Sequence, residues 1–219
     1  MKGVIFDFNG TLFLDNDKHI LAWNRISQLL RGCDITEEEL HVKMNGKNNK
    51  DIIAYLTEGK ADGAMTEACS QQKEACYRQY CAADRDRFHL IPGAEDLFDY
   101  LASHHIPFTI ASASIKPNID FFVESFHLDR WIDPDTIVYD DGKHLGKISM
   151  FQDAAGRLGM DVSGLTIVED SLAGICCAIQ AGCQDVRVIN SAGIADKVKD
   201  LPQVRQVCED MTEIIRSGL

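Results

Sequence analysis

Asp7 ends the apolar run Gly3-Val4-Ile5-Phe6 and opens a turn at Asn9-Gly10. A carboxylate at the C-terminal end of a buried parallel strand stands where open α/β sheets bind ligands. As a nucleophile it can split a difficult group transfer into two easier steps. A second apolar run, Ile110-Ala111-Ser112-Ala113-Ser114, ends in small hydroxyl residues. A hydroxyl and backbone amides at a strand end can hold an anionic oxygen. Lys147, in His144-Leu145-Gly146-Lys147, comes just before a predicted helix and would offset negative charge. A third run, Leu165-Thr166-Ile167-Val168, ends in Glu169 and Asp170, with Ser171 as the expected cap of the next helix. Adjacent acids of this kind are hard-oxygen donors suited to Mg2+. Each segment taken singly reads as well as a turn aspartate, a helix cap, a surface lysine or acids complementing a helix dipole. Their occurrence in order, each at a predicted strand end or loop, describes one site for a phosphoryl group and a divalent cation.

Two patterns of periodicity must position these residues. The α/β pattern comprises Val4 to Phe8 and then the chain from about residue 93 onward. Short apolar runs at 107–112, 136–139, 165–168 and 186–189 alternate there with amphipathic stretches at 94–104, 116–126, 149–159 and 171–181. This alternation predicts a parallel sheet with crossover helices. The intervening segment is strand-poor, with helices expected at 19–31, 36–44, 50–56 and 66–82. Thr36-Glu37-Glu38-Glu39 fits a capping box. The division is an α/β core domain at 1–14 and 86–219 and a helical insert at 15–85, on linkers near 13–16 and 83–91. Pro92-Gly93 marks the return to the core.

Bulk properties narrow the field. The chain has 219 residues, 45% of them apolar, and a net charge of −12. No basic run stands out, which argues against nucleic acid as a partner. An acidic chain that binds an anion must gather positive charge locally. The eight cysteines show no CxxC spacing and read as reduced thiols. No apolar run reaches membrane-spanning length. A cytoplasmic protein with no membrane partner is expected, as a monomer or weak homodimer.

Taken together, the four segments resemble the haloacid dehalogenase-like superfamily, on its β-phosphoglucomutase-like branch with a helical cap after the first strand. The resemblance covers essentially the whole chain and implies a Rossmann-like core. His19-x-x-Ala22-Trp23 is similar to the family's first cap helix, and Asn45-Gly46-Lys47-Asn48-Asn49-Lys50 to its substrate-specificity loop. The resemblance implies that Asp7 is the nucleophile and forms an aspartyl-phosphate. The Asn9 carbonyl, Asp7 and Asp170 would bind Mg2+, with Glu169 as ligand or supporting partner. Ser112, Lys147 and the Ala113 amide would hold the phosphoryl group. His19, Trp23, Asn49, Lys50 and Lys73 would meet a small phosphorylated substrate from the cap.

The chain departs from the pattern in three places. The family's phosphatases and mutases carry an aspartate two residues after the nucleophile, where it protonates the leaving group and activates water. Asn9 stands there, and a carboxamide has no useful proton to exchange at neutral pH. His19 is a candidate replacement, since imidazole titrates near neutrality. Asn49 takes the place of an arginine, removing a bidentate clamp for a second phosphate. Lys147-Ile148-Ser149 replaces the usual Lys-Pro. The expected activity is a Mg2+-dependent phosphatase acting on a sugar phosphate or similar metabolite, slowed by Asn9. The alternatives are a β-phosphoglucomutase-type isomerase, a phosphonate hydrolase, and a non-catalytic metabolite-binding protein. The phosphonate reading needs a Schiff-base lysine, and Lys50 lies one residue late for that role. Dehalogenation is disfavoured by the Glu169-Asp170 pair.

Overall fold

The computed structural model describes residues 3–44 and 47–217, so Asn45 and Gly46 of the expected cap loop lie outside the described residues. The chain divides into two compact units, Met1–Leu14 with His89–Leu219, and Asp15–Phe88.

The first unit is built on six strands: β1 (Val4–Phe6), β2 (Phe108–Ile115), β3 (Val138–Asp140), β4 (Thr166–Glu169), β5 (Asp185–Ile189) and β6 (Val204–Cys208). They run in the order β3-β2-β1-β4-β5-β6, and every pairing is parallel. This is the doubly wound arrangement, in which the strand order reverses beside β1. Val4, Ile5 and Phe6 are fully buried, as expected of a central parallel strand covered on both faces. Alternate residues serve opposite layers. Ile5 joins the apolar cluster of Val138, Phe151, Ile167, Ile175 and Val188. Phe6 packs edge-on against Phe98, with ring centroids 5.3 Å apart.

The crossovers include α5 (Ala94–Ser103), α6 (Lys116–Phe126), α7 (Lys147–Arg157) and α8 (Leu172–Gln180). Three boundaries differ from the sequence reading. Ser112 lies inside β2, which continues to Ile115 because Ile115 still pairs with Asp140 beyond a register irregularity. Lys147 is the first residue of α7, since Gly146 at φ 129 supplies the turn that enters the helix. The run expected at 136–139 starts as a 3-10 turn over Pro134–Thr136, and β3 follows from Val138. Strand β6 and the helix after it (Met211–Ser217) were not anticipated, because neither shows strong periodicity.

The second unit contains α1 (Asn16–Arg31), a short turn of helix at Glu37–Glu39 running into a π-helix at Leu40–Met44, α3 (Asn49–Leu56) and α4 (Gly63–Ala83). The Thr36 capping box is present: its hydroxyl accepts from Glu39 N while Glu39 accepts from Thr36 N. Asn48 and Asp62 cap α3 and α4 through their side chains, accepting from Asp51 N and Met65 N. Trp23, Ile26, Met44, Ile52, Ile53 and Leu56 form the unit's apolar centre. Lys18 ties the start of α1 to the end of α4 through Asp84 at 2.6 Å.

An aromatic cluster lies under the turn that follows β1. Phe8 stacks on Phe122 at 4.3 Å, and Phe13 lies 5.6 Å from the same ring. Phe122 is fully buried. Phe122→Ala is expected to cost about 3–5 kcal/mol, read as a fall in the urea midpoint. A loss below about 1 kcal/mol would mean that the neighbouring rings collapse into the space.

Candidate active site

Strand β1 delivers Asp7 to the point where the strand order reverses. The Asp7 amide continues the ladder by donating to Val168 O at 2.9 Å. The chain then folds over Phe8, whose carbonyl accepts from Thr11, Leu12 and Phe13 at 3.2, 2.8 and 3.1 Å. Gly10 closes the turn by donating to Phe13 O at 2.7 Å. Its φ of +79° favours glycine, and a side chain there would collide with the Asp170 carboxylate. Packing therefore fixes the nucleophile candidate before any charge is considered.

Asp7 is 5% exposed. Its Oδ1 lies 2.7 Å from Lys147 Nζ, which α7 brings in from the far side. The same ammonium donates to Glu169 Oε1 in a close ion pair. Glu169 is fully buried. Its second oxygen accepts from the amides of Asp170 and Ser171, both at 2.9 Å, and from the Ser171 hydroxyl. Ser171 also caps α8 by accepting from Gly174 N at 3.0 Å. Gly174 carries no side chain where one would strike the Glu169 carboxylate. Both oxygens of Glu169 thus have partners, with Lys147 on one and the Asp170 and Ser171 groups on the other.

Asp170 is held by two hydroxyls. Thr11 donates to Oδ1 at 3.2 Å and Ser191 to Oδ2 at 3.1 Å. The Thr11 hydroxyl also lies 3.5 Å from Asp7 Oδ2. Asn9 projects from the same turn, its Oδ1 accepting from Ser112 at 3.3 Å and Ser114 at 3.1 Å. Ser112 is buried and Ala113 exposed beside it on β2. Thr11, Ser114 and Ser191 were not singled out from sequence. Thr11 directly follows the Asn9-Gly10 turn, and Ser191 follows the apolar run of β5, so a search for hydroxyls beyond strand ends would have found both.

Three carboxylates face one ammonium. One oxygen each from Asp7, Glu169 and Asp170 lie within 4.8 Å of one another, a group able to hold a metal ion. If all three ionise, Lys147 leaves an excess of two negative charges. Burial is the main force raising Asp7 to about 7; Lys147 pulls it down, while Glu169 and Asp170 push it up. Asp170 rises to about 6, again chiefly through burial and then Glu169, against the pull of Ser191 and Lys147. Burial would lower Lys147, but Asp7 and Glu169 outweigh it and keep the ammonium above the ordinary lysine value. Burial, and the presence of only one ammonium among three carboxylates, thus push Asp7 and Asp170 toward their protonated forms. A divalent cation fits both the donor set and the charge.

The helical unit holds a separate polar network. The His19 ring stacks on Tyr77 at 4.0 Å. Its Nδ1 meets Lys73 Nζ at 2.9 Å, and its Nε2 lies 3.4 Å from Asp15. Lys73 is 3% exposed, pairs with Glu74 at 2.8 Å, and lies 5.4 Å from the Trp23 ring centroid. Asn49 donates to Glu74 at 2.8 Å and to Ser70 at 3.0 Å. Lys50 is exposed. Both His19 nitrogens face partners inside the unit, which disfavours the acid/base role considered for it. Lys73 is buried there between His19 and Glu74.

The likenesses to known proteins agree with this geometry. The family described as haloacid dehalogenase-like hydrolase matches residues 4–188. A bifunctional riboflavin kinase/FMN phosphatase of Arabidopsis thaliana is 33% identical over 110 residues, 49% of this chain. The chain matches only 28% of that protein's length. A β-phosphoglucomutase of Bacillus subtilis (strain 168) is 26% identical over 193 residues, 83% of this chain and 80% of the other. The crystal structure of a HAD hydrolase, family IA, variant 3, from Entamoeba histolytica HM-1:IMSS superposes with a TM-score of 0.89 at 29% identity, covering 97% of this chain and 95% of that one. Among the described residues, no helix is long and apolar enough to cross a membrane. By the match over most of its length, this chain belongs to the haloacid dehalogenase-like hydrolases, on the branch that includes β-phosphoglucomutase.

Proposed function

We propose that this chain is a Mg2+-dependent phosphatase acting on a small phosphorylated metabolite, a sugar phosphate foremost, through an aspartyl-phosphate on Asp7. The observation that carries the reading is the buried Asp7 carboxylate, aimed by Lys147 and flanked by the acids of the neighbouring strand. Asp7, Asp170 and the Asn9 carbonyl would hold the cation, which would supply the missing positive charge beside the incoming phosphate.

The remaining work belongs to the chain's own side chains. Asp7 presents a carboxylate oxygen to phosphorus. Ser112 and Lys147 bind phosphoryl oxygens, and Lys147 stabilises the charge spread over them. Glu169 keeps that ammonium pointed at the site. In this reading the helical unit selects the substrate, with Lys50 as an open cation and Asn49 held by Glu74 and Ser70, while Trp23 is buried in that unit's apolar centre and supports it from within. The likeness to the B. subtilis β-phosphoglucomutase favours a second reading, an isomerase of a phosphorylated sugar.

The direct test is phosphate release with Mg2+ from hexose phosphates, FMN and nucleotides. Asp7→Ala is expected to abolish release, and Asn9→Asp to raise it by about 10²–10⁴-fold, the usual worth of a general acid–base. Activity that survives Asp7→Ala would end the aspartyl-phosphate route. Conversion of one sugar phosphate to another, without phosphate release, would favour the isomerase.

The raised acids also set a pH dependence for metal-free protein. Asp7 and Asp170 bind protons more tightly when folded than at their ordinary value of 3.8. Their contribution therefore favours the folded state at the acid end and is lost as pH rises from about 4 to about 7. Mg2+ must displace those protons. In thermal melts, saturating Mg2+ should raise the melting temperature more at pH 7.5 than at pH 5.5. An equal shift at both pH values would show that the cation does not bind among these acids.

A further inference from the structure

We propose that phosphorylated Asp7 is long-lived, and that the phosphoryl donors which load it fastest are those with weakly basic leaving groups, such as acyl and aryl phosphates. The inference rests on the phosphatase reading and deepens it, ranking phosphoryl donors by how readily this particular site is loaded, with alkyl phosphates such as sugar phosphates as the slow case.

The two half-reactions make unequal demands. In the first, a bond forms between an Asp7 oxygen and phosphorus while the bond from phosphorus to the leaving oxygen breaks. A carboxylate or phenolate departs with the electron pair as a stable anion and needs no proton. An alkoxide needs one. In the second, water oxygen bonds to phosphorus, the Asp7 oxygen leaves, and inorganic phosphate is released. The attacking water must give up a proton, so this step needs a base whatever the donor was.

The described residues offer no group suited to that transfer. Asn9 lies two residues after the nucleophile, and its side-chain Oδ1 accepts from Ser112 and Ser114. Two hydroxyls donating to one amide oxygen lock the carboxamide in place without making it basic. Lys147 donates to both Asp7 and Glu169, and an ammonium has no lone pair with which to accept a proton. The Glu169 oxygens are taken by Lys147, two amides and the Ser171 hydroxyl. Each Asp170 oxygen accepts a hydroxyl, from Thr11 and from Ser191, and in the proposed reading the carboxylate is committed to the cation rather than to a proton. His19 has one ring nitrogen on Lys73 and the other facing Asp15. The groups that load the nucleophile are assembled, and the group that clears it is not.

The experiment is rapid mixing of the purified chain with p-nitrophenyl phosphate and Mg2+, with intact mass measured on quenched samples. The chain should give a stoichiometric burst of nitrophenolate, then a slow steady rate, and carry a phosphoryl adduct that hydroxylamine removes. Acetyl phosphate should produce the same adduct, and glycerol phosphate should load it far more slowly. Asp7→Ala should show neither burst nor adduct. Asn9→Asp should lose the burst and turn over about 10²–10⁴-fold faster in the steady state. Linear release without adduct from the unmodified chain, at the rate of Asn9→Asp, would overturn this inference and leave the phosphatase reading standing. Absence of Asp7-dependent release from both the unmodified chain and Asn9→Asp would overturn the two together.

Discussion

The site depends on one electrostatic imbalance: three carboxylates packed around a single ammonium. Asp7, Glu169 and Asp170 are brought together by neighbouring parallel strands, and Lys147 reaches them from the start of α7. A pair alone could neutralise itself. Here the surplus of acid must be met by protons or by a cation, because isolated buried charge is costly. Under the proposed function such a site would trade protons for a divalent ion, which would offset the charge of a phosphate dianion.

Geometry divides the acids by role in a way their sequence spacing does not. Glu169 and Asp170 are adjacent, yet strand alternation sends them to different tasks. Glu169 turns inward, where two backbone amides and Lys147 hold it. Asp170 turns toward the Asp7 turn, where Thr11 and Ser191 orient it. Hydroxyl groups do most of this aiming. Since they carry no charge, they fix direction without adding to the imbalance.

Much of this was legible in the chain. The apolar runs located β1, β2, β4 and β5, and a charged residue directly after such a run is hard to explain as core, which exposed Asp7, Glu169 and Asp170. The family match and the parallel sheet bear out the resemblance read from those residues. Other features left no local trace. Lys147 stands out in the sequence as a candidate, but its direct pairing with Asp7 and Glu169, 140 and 22 positions away, does not. The burial of Lys73 follows from aromatic rings on two helices, Trp23 and Tyr77, which no single window of sequence contains. Strand β6 lies on the sheet edge, where half-exposed residues weaken the apolar signal.

The notches left by Gly10 and Gly174 make the acidic cluster unequal in its tolerance of change. Each acid beside them fills the volume of an absent side chain. Those two backbone positions are closed to substitution by shape alone, whatever the chemistry of the newcomer. Asn9 and Ser191 border the same acids through hydrogen bonds rather than through a missing side chain. The site is thus held by two different means, shape at the glycines and polar contacts at its rim, and only the first bars every side chain larger than hydrogen.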